Sequence, residues 1–196
     1  VRTIIFLDYD SVLNDLGLAW LRWLNPKFGV NITQSDILHF NWLEENFPGA
    51  NEFWATPGIY HNHVKPLPGS HDFVARCIHL VGRENVFVLT SSLSNMEHEK
   101  DEHIMYHYGL DLSQIIHAHD KAIYTKEGIL VDDHPKNCIN HINTHCTHAI
   151  LFDKDSEYGW SKPERYDFYE PSYHDRFIHR CTDYTQVLRC IRRHLC

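Results

Sequence analysis

No apolar run in the chain approaches the roughly 20 residues that a bilayer-crossing helix needs, so no membrane partner is expected. Cysteine is sparse. The six residues Cys77, Cys138, Cys146, Cys181, Cys190 and Cys196 include no CxxC pair, which removes the thiol-pair zinc and redox motifs. They read as reduced thiols of a cytoplasmic protein, and nothing supports a Cys181–Cys190 or Cys190–Cys196 bridge. No secretory signal is expected, since the sequence opens on the strand-like Val1-Arg-Thr-Ile-Ile-Phe-Leu-Asp8. Positive charge is also short, with 18 Lys and Arg against 26 Asp and Glu and a formal net charge of −8. Proteins that bind by neutralising many phosphates are usually basic. Duplex nucleic acid is therefore not the expected partner, whereas a small phosphorylated molecule remains open. There is no internal repeat and no low-complexity tract.

What is present suits one core with a small appended subdomain. The 196 residues are 43% apolar, enough to bury a core. Thr3-Ile4-Ile5-Phe6-Leu7, Val86-Phe87-Val88-Leu89, Ile129-Leu130-Val131 and Ala149-Ile150-Leu151-Phe152 are short unbroken apolar runs. Such runs fit strands covered on both faces, as in a parallel sheet. Helical patterns lie between them, over Ser70–Leu80 with Ser70 as N-cap, Ser94–Tyr108 ended by Gly109, and Pro135–Asn143 with Pro135 in the first turn. A basic helix over Thr182–His194 begins at Thr182 or Asp183. The alternation predicts an α/β fold, a Rossmann-like parallel sheet between helices. Residues 14–66 are aromatic-rich and helical in spacing, and predict a helical cap inserted after the first strand. The core is then 1–13 and 67–196, with Lys65-Pro66-Leu67-Pro68-Gly69 returning the chain to it.

Each apolar run ends on polar residues, and in open α/β sheets sites form beyond the carboxyl ends of strands. Asp8-Tyr9-Asp10 follows the first run. One carboxylate could attack phosphorus while the other handles the leaving-group proton, provided that a turn at Tyr9 brings both to one side. An isolated pair of this kind is more often a turn or helix cap. Thr90-Ser91-Ser92 could hold phosphate oxygens or simply cap a helix. Lys121, with Lys126 as rival, could offset the repulsion between nucleophile and phosphate or be a solvated surface lysine. Asp132-Asp133 suits a hard, oxygen-liganded cation such as Mg²⁺ or caps the helix at Pro135.

In the order Asp-x-Asp, Thr, Lys, Asp-Asp, each at a strand end or loop, these pieces resemble the four motifs of the haloacid dehalogenase superfamily of phosphohydrolases. A narrower resemblance, to the 5′(3′)-deoxyribonucleotidases, rests on Asp8-Tyr-Asp-Ser-Val-Leu-Asn-Asp15, Thr56-Pro-Gly-Ile-Tyr60, Pro66-Leu-Pro-Gly69, Asp120-Lys121, Ile129-Leu-Val-Asp-Asp-His-Pro135, Ile150-Leu-Phe-Asp153 and Cys181-Thr-Asp-Tyr-Thr-Gln-Val-Leu188. The resemblance implies a Mg²⁺-dependent phosphatase. Asp8 is then the nucleophile that becomes an aspartyl-phosphate, and Asp10 the acid and base. Thr90, Ser91 and Lys121 bind phosphate. Asp8, the Asp10 carbonyl and Asp133 hold Mg²⁺, with Asp132 as second choice. A nucleoside monophosphate is the implied substrate, its base stacked on an aromatic residue among Phe40, Trp42, Phe53, Trp54 and Tyr60, although these also suit the packing of a small cap. Ser11 departs from the pattern, standing where many members have Gly. Hydrolysis of another small phosphate or of a nucleic-acid 3′-phosphate end is the alternative activity. A non-catalytic nucleotide-binding protein is the alternative of another class, disfavoured because every motif residue is present. The sequence leaves a homodimer open.

The spacing of His141, His145 and His148, and of His103 and His107, invites a zinc reading, but no His-Glu-x-x-His and no thiol pair accompanies it. The basic residues of the final helix suit its carboxyl-terminal dipole. The aromatic stretch Tyr158–Tyr169 reads as a packed connection or as a loop over the site.

Overall fold

The computed structural model describes residues 3–39, 41–93, 95–126 and 128–195, the last of these without its side chain. Six strands form one sheet: β1 (Ile4–Leu7), β2 (Val86–Thr90), β3 (Ile115–His117), β4 (Gly128–Asp132), β5 (Ala149–Phe152) and β6 (Ile178–Cys181). Their order is β3-β2-β1-β4-β5-β6, and every neighbouring pair is parallel. The chain winds outward from β1 to β3, then crosses back to place β4 on the other side of β1. The β1–β4 boundary is thus the point where the winding reverses, where open α/β sheets form a crevice at their carboxyl ends.

Alternate strand residues go to opposite faces. Ile150 and Phe152 join Ile5, Leu7, Ile129 and Val131 in the main core. That core is covered by α4 (Ser70–Val81), through Phe73, Val74 and Cys77, and by α8 (Tyr184–Leu195), through Val187, Leu188 and Ile191. Ala149 and Leu151 face the other way and pack on Cys138 and Ile142 of α6 (Pro135–His145). The short α7 (Pro171–His174) precedes the edge strand β6. Among the described residues no helix is long and apolar enough to cross a membrane.

The described residues between β1 and α4 form no strand. They carry α1 (Leu16–Phe28), α2 (Trp42–Asn46), α3 (Ile59–Asn62) and two 3₁₀ turns. Trp20 buries against Phe53 and donates through Nε1 to the Ala50 carbonyl at 3.0 Å. The segment's two ends are paired, with Asp15 N–H donating to the Lys65 carbonyl at 2.9 Å and Leu67 N–H to that of Leu13 at 2.9 Å.

The four anticipated strands are present, and the sheet is parallel as the unbroken apolar runs require. Some expectations are corrected. Ser70 does not cap α4; Gly69, at φ 84°, takes the cap position, and the Ser70 hydroxyl pairs with Tyr108 Oη at 2.9 Å. The next helix, α5 (Glu97–Tyr108), starts later than Ser94, which lies outside the described residues, and it ends as expected on Gly109 at φ 62°. α6 runs two residues beyond Asn143, and α8 starts at Tyr184, with Asp183 Oδ1 accepting from Gln186 N–H at 2.9 Å. β3 and β6 were not anticipated. Both are short: β3 reads Ile-Ile-His, and β6 sets the adjacent His179 and Arg180 between Ile178 and Cys181, so neither shows an apolar run of strand length.

Candidate active site

β1 ends at Leu7, and the Asp8 N–H still donates to the Val131 carbonyl at 2.8 Å. Then the chain turns. Leu13 and Asn14 both donate to the Tyr9 carbonyl, and Ser11 takes a left-handed φ of 61°. In an extended strand Asp8 and Asp10 would face opposite sides; this turn sets both on one cavity. The Tyr9 side chain goes instead into the interior, beside Tyr60 and Tyr108, and its hydroxyl pairs with His103 Nδ1.

Lys121 enters from the 3₁₀ turn after β3 and is almost fully buried. Its ammonium lies 2.7 Å from Asp8 Oδ1 and 2.7 Å from Asp132 Oδ2. Burial alone would depress that ammonium, but Asp132 and Asp8 outweigh it and hold its pKa above the ordinary value. Asp8 is pushed up to about 7, by burial first; Lys121 pulls the other way, while Asp132 and Asp10 add to the rise. Asp133 is raised for the same leading reason, with Asp8 and Asp132 reinforcing it.

The two members of the acidic pair differ. Asp132 is saturated with donors, from Lys121 Nζ, His134 N–H at 2.8 Å and Asn137 Nδ2 at 3.0 Å. Asp133 accepts from Trp160 Nε1 at 2.8 Å and faces the cavity. Asp132 therefore orients Lys121 and the entrance of α6, and Asp133 keeps lone pairs free for a ligand.

Asp10 is held by three donors: Asn14 Nδ2 at 3.0 Å and Tyr60 Oη at 3.0 Å on Oδ1, and Lys100 Nζ at 2.7 Å on Oδ2. The same ammonium reaches Thr90 Oγ1 at 3.1 Å and the Ser91 carbonyl at 2.7 Å. Thr90 is wholly buried and sits behind Lys100, whereas Ser91 is exposed on the cavity and donates its hydroxyl to the Ala118 carbonyl at 2.9 Å. Lys126, the rival of Lys121, is exposed and does not line the cavity.

The cavity above these groups has a volume of about 910 Å³, within the range of small-molecule sites. Trp20, Trp54, Tyr60 and Trp160 line it. Of the five aromatic residues proposed from sequence, Trp54 and Tyr60 are on its wall. Phe53 is not, being fully buried between Trp20 and Trp23, and Trp42 packs on Phe47 instead. Phe40 lies outside the described residues. The Tyr158–Trp160 stretch is both packed and part of the site, since Tyr158 Oη donates to the Ser11 carbonyl at 2.7 Å while Trp160 covers Asp133.

Sequence reasoning missed Lys100, Trp20 and Trp160. Lys100 stands in Glu97-His-Glu-Lys-Asp-Glu102, which reads as a solvated helix face. Trp20 reads as cap core, and Trp160 follows Gly159 in an irregular stretch with no motif around it.

The donor set fits a divalent cation. Asp8, Asp132 and Asp133 are buried and offer carboxylate oxygens within 4.8 Å of one another. Among the described residues, the ammonium groups touching these three and Asp10 are Lys100 and Lys121. Four carboxylates against two ammonium groups leave a deficit that a hard, oxygen-liganded dication would balance.

The sequence model of the family described as 5′ nucleotidase, deoxy (pyrimidine), cytosolic type C protein matches residues 2–174. No curated protein sequence matches. Among solved structures, the chain is similar to a haloacid dehalogenase-like protein from Agrobacterium tumefaciens, with a TM-score of 0.61 and 14% identity over 100% of both chains. It is similar to a haloacid dehalogenase-like hydrolase from Burkholderia xenovorans, with a TM-score of 0.59 and 12% identity over 100% of both chains. A third is the hydrolase YfnB from Bacillus subtilis, a magnesium-bound structure, with a TM-score of 0.52 and 10% identity over 97% of this chain and 99% of that one. Identities this low speak to the fold alone.

Proposed function

The chain belongs to the 5′ nucleotidase, deoxy (pyrimidine), cytosolic type C family, phosphatases of the haloacid dehalogenase superfamily, and from that premise we propose that it dephosphorylates nucleoside monophosphates through Asp8. The observation that carries this reading is the buried contact of Asp8 with Lys121 beside Asp133, on the floor of a cavity walled by tryptophan and tyrosine.

In this reading an Asp8 carboxylate oxygen attacks phosphorus and the bond to the ester oxygen breaks. Asp10 gives that leaving oxygen its proton. Asp10 then takes a proton from water, whose oxygen attacks the aspartyl-phosphate, releasing inorganic phosphate and restoring Asp8. Asn14, Tyr60 and Lys100 keep the Asp10 carboxylate aimed at the cavity. Lys121 offsets the repulsion between Asp8 and the incoming phosphate, and Ser91 with Lys100, which Thr90 backs, receives its oxygens. Asp8, the Asp10 carbonyl and Asp133 would hold Mg²⁺, with Asp132 kept in reserve by its own donors. Bound there, Mg²⁺ supplies electrostatic neutralisation between the carboxylates and the phosphoryl group.

The segment 14–66 acts as a cap over the core in this reading. Trp54 and Tyr60 from the cap, with Trp20 and Trp160, offer faces on which a base could stack. The family's cytosolic description fits action in the cytoplasm.

Phosphate release from deoxy- and ribonucleoside monophosphates, as 5′ and 3′ isomers, and from a sugar phosphate tests the proposal, with Mg²⁺ or EDTA present. The expected result is Mg²⁺-dependent release from nucleotides, abolished in Asp8→Asn, with nucleotide preference weakened in Trp54→Ala. Release from the sugar phosphate alone would keep the chemistry and overturn the nucleotide assignment. Full activity in Asp8→Asn would overturn the mechanism.

A further inference from the structure

A second cluster of ligating side chains lies at the opposite end of the sheet from the cavity. His148 stands just before β5, at the amino ends of the strands. His179 lies on β6, whose register pairs it with Ile150, and His194 lies in the last turns of α8. The three rings are packed together: centroids are 4.1 Å apart for His148 and His194, 5.0 Å for His148 and His179, and 5.1 Å for His179 and His194. One nitrogen of each ring lies within 4.8 Å of the other two, and all three residues are half-buried.

These rings are poorly used as hydrogen-bonding groups. His148 Nδ1 and His179 Nε2 share one hydrogen bond of 3.0 Å, and among the described residues His194 has no hydrogen-bond partner. The neighbouring His141 differs. Its Nδ1 meets Thr125 Oγ1 at 2.7 Å and its Nε2 meets the His148 carbonyl at 3.2 Å, so it is consumed structurally. The spacing His141, His145, His148 therefore does not build a site, and His148 turns away to join partners distant in sequence.

Three imidazoles on three different elements, with nitrogens converging, are a donor set for a borderline transition ion and not for Mg²⁺ or Ca²⁺, which need oxygen ligands. A ligand imidazole must be neutral. Burial, then His148 and His179, hold His194 down at about 4, and burial with His148 and Arg193 lowers His179. Tetrahedral zinc with bonds of about 2.0–2.1 Å sets nitrogens about 3.4 Å apart. No nitrogen separation in the cluster exceeds 4.8 Å, so binding asks for a closure of at most about 1.4 Å.

We propose that His148, His179 and His194 form a binding site for one zinc-class ion, separate from the strand-end carboxylates, with water in the fourth position. The ion fastens α8 to β6, a four-residue strand on the sheet edge.

Co²⁺ added to the full chain in saturating Mg²⁺, which occupies the carboxylate site, reports this site by its visible d–d absorption. One tight equivalent is expected, and Zn²⁺ should displace it. His179→Ala and, independently, His194→Ala should each lose that equivalent while retaining far-UV circular dichroism and phosphate release. Zn²⁺ should raise the melting temperature of the wild type and not that of either variant. Equal Co²⁺ binding in the wild type and both variants, or none in the wild type, would overturn the proposal. His194 lies near the end of the last helix, so its variant stays informative even where His179→Ala does not fold.

Discussion

Lys100 on α5 places its ammonium 2.7 Å from Asp10 Oδ2 and 3.1 Å from Thr90 Oγ1. One buried cation thus ties the second carboxylate of the opening motif to the hydroxyl that ends β2, two segments that the sheet alone would only bring near each other. A lysine this buried, at 2% exposure, is retained where its charge has a partner.

Lys100→Met keeps the length and apolar stem of the side chain but removes the charge. In the proposed mechanism both Asp10 and the incoming phosphate lose a donor, so kcat should fall about 100-fold or more. Asp10 is partly exposed, and water replaces some of what it loses, so the fold should persist by far-UV circular dichroism. A kcat within twofold of the wild type would remove Lys100 from the mechanism.

Trp160 donates to Asp133 Oδ2 at 2.8 Å from the stretch after β5. Groups that hydrogen-bond a metal ligand fix its orientation, and their loss typically costs about 10–100-fold in metal affinity. Trp160→Phe keeps the aromatic wall and deletes the donor. The Mg²⁺ concentration for half-maximal phosphate release should rise about 10-fold, with kcat at saturating Mg²⁺ little changed. An unaltered Mg²⁺ requirement would show that this bond does not tune Asp133.

Much of the fold and the acidic half of the site were legible in the sequence because they lie in apolar runs that end on charged residues. A carboxylate next to Ile-Ile-Phe-Leu or Ile-Leu-Val is conspicuous, and local chemistry demands a partner for it. The aromatic wall was legible only as a composition. Helical spacing does not say that Trp20 and Trp54 line a cavity while Phe53 fills the core, because all three sit within one small packed unit. Lys100 was invisible for the opposite reason, since it is surrounded in sequence by the acids of an exposed helix face and is enclosed in part by Asp10 and Tyr60, which are far away in the chain. The histidine cluster joins residues 148, 179 and 194, whose proximity depends on the unanticipated strand β6.

Ser11 occupies a left-handed backbone conformation, φ 61°, that costs an L-residue with a Cβ roughly 1 kcal/mol. Its carbonyl is held in place by Tyr158 Oη. Ser11→Gly removes the strain but adds unfolded-state entropy, so a net gain of up to about 1 kcal/mol is expected, read as a rise of a few degrees in melting temperature, with activity retained. Ser11→Val, branched at Cβ, should destabilise and disturb the turn that joins Asp8 to Asp10. A melting temperature lowered by the glycine would mean that the serine hydroxyl contributes more than the strain costs.

The elevated pKa of Asp8 sets a pH dependence for metal-linked stability. Asp8 is ordinarily a group of 3.8 and stands at about 7 in the folded chain. Between these values the metal-free folded protein keeps a proton that the unfolded chain has lost, so this group's contribution to stability falls as pH rises from about 4 to about 7. In the proposed site, Mg²⁺ held at Asp8 would displace that proton. Its apparent affinity should therefore climb about tenfold per pH unit per displaced proton until pH about 7, then level; Asp133, also raised, steepens the climb. The buried His103 and His141, both depressed to about 4, act on the metal-free baseline in the opposite sense and cancel in the difference with and without Mg²⁺. Thermal melts from about pH 5.5 to about pH 8.5 should show a Mg²⁺ increment that is small at the acid end and large at the alkaline end. Asp8→Asn has no proton to displace at that position and should flatten the dependence. An increment independent of pH in the wild type would mean that Asp8 is not among the groups that receive the ion.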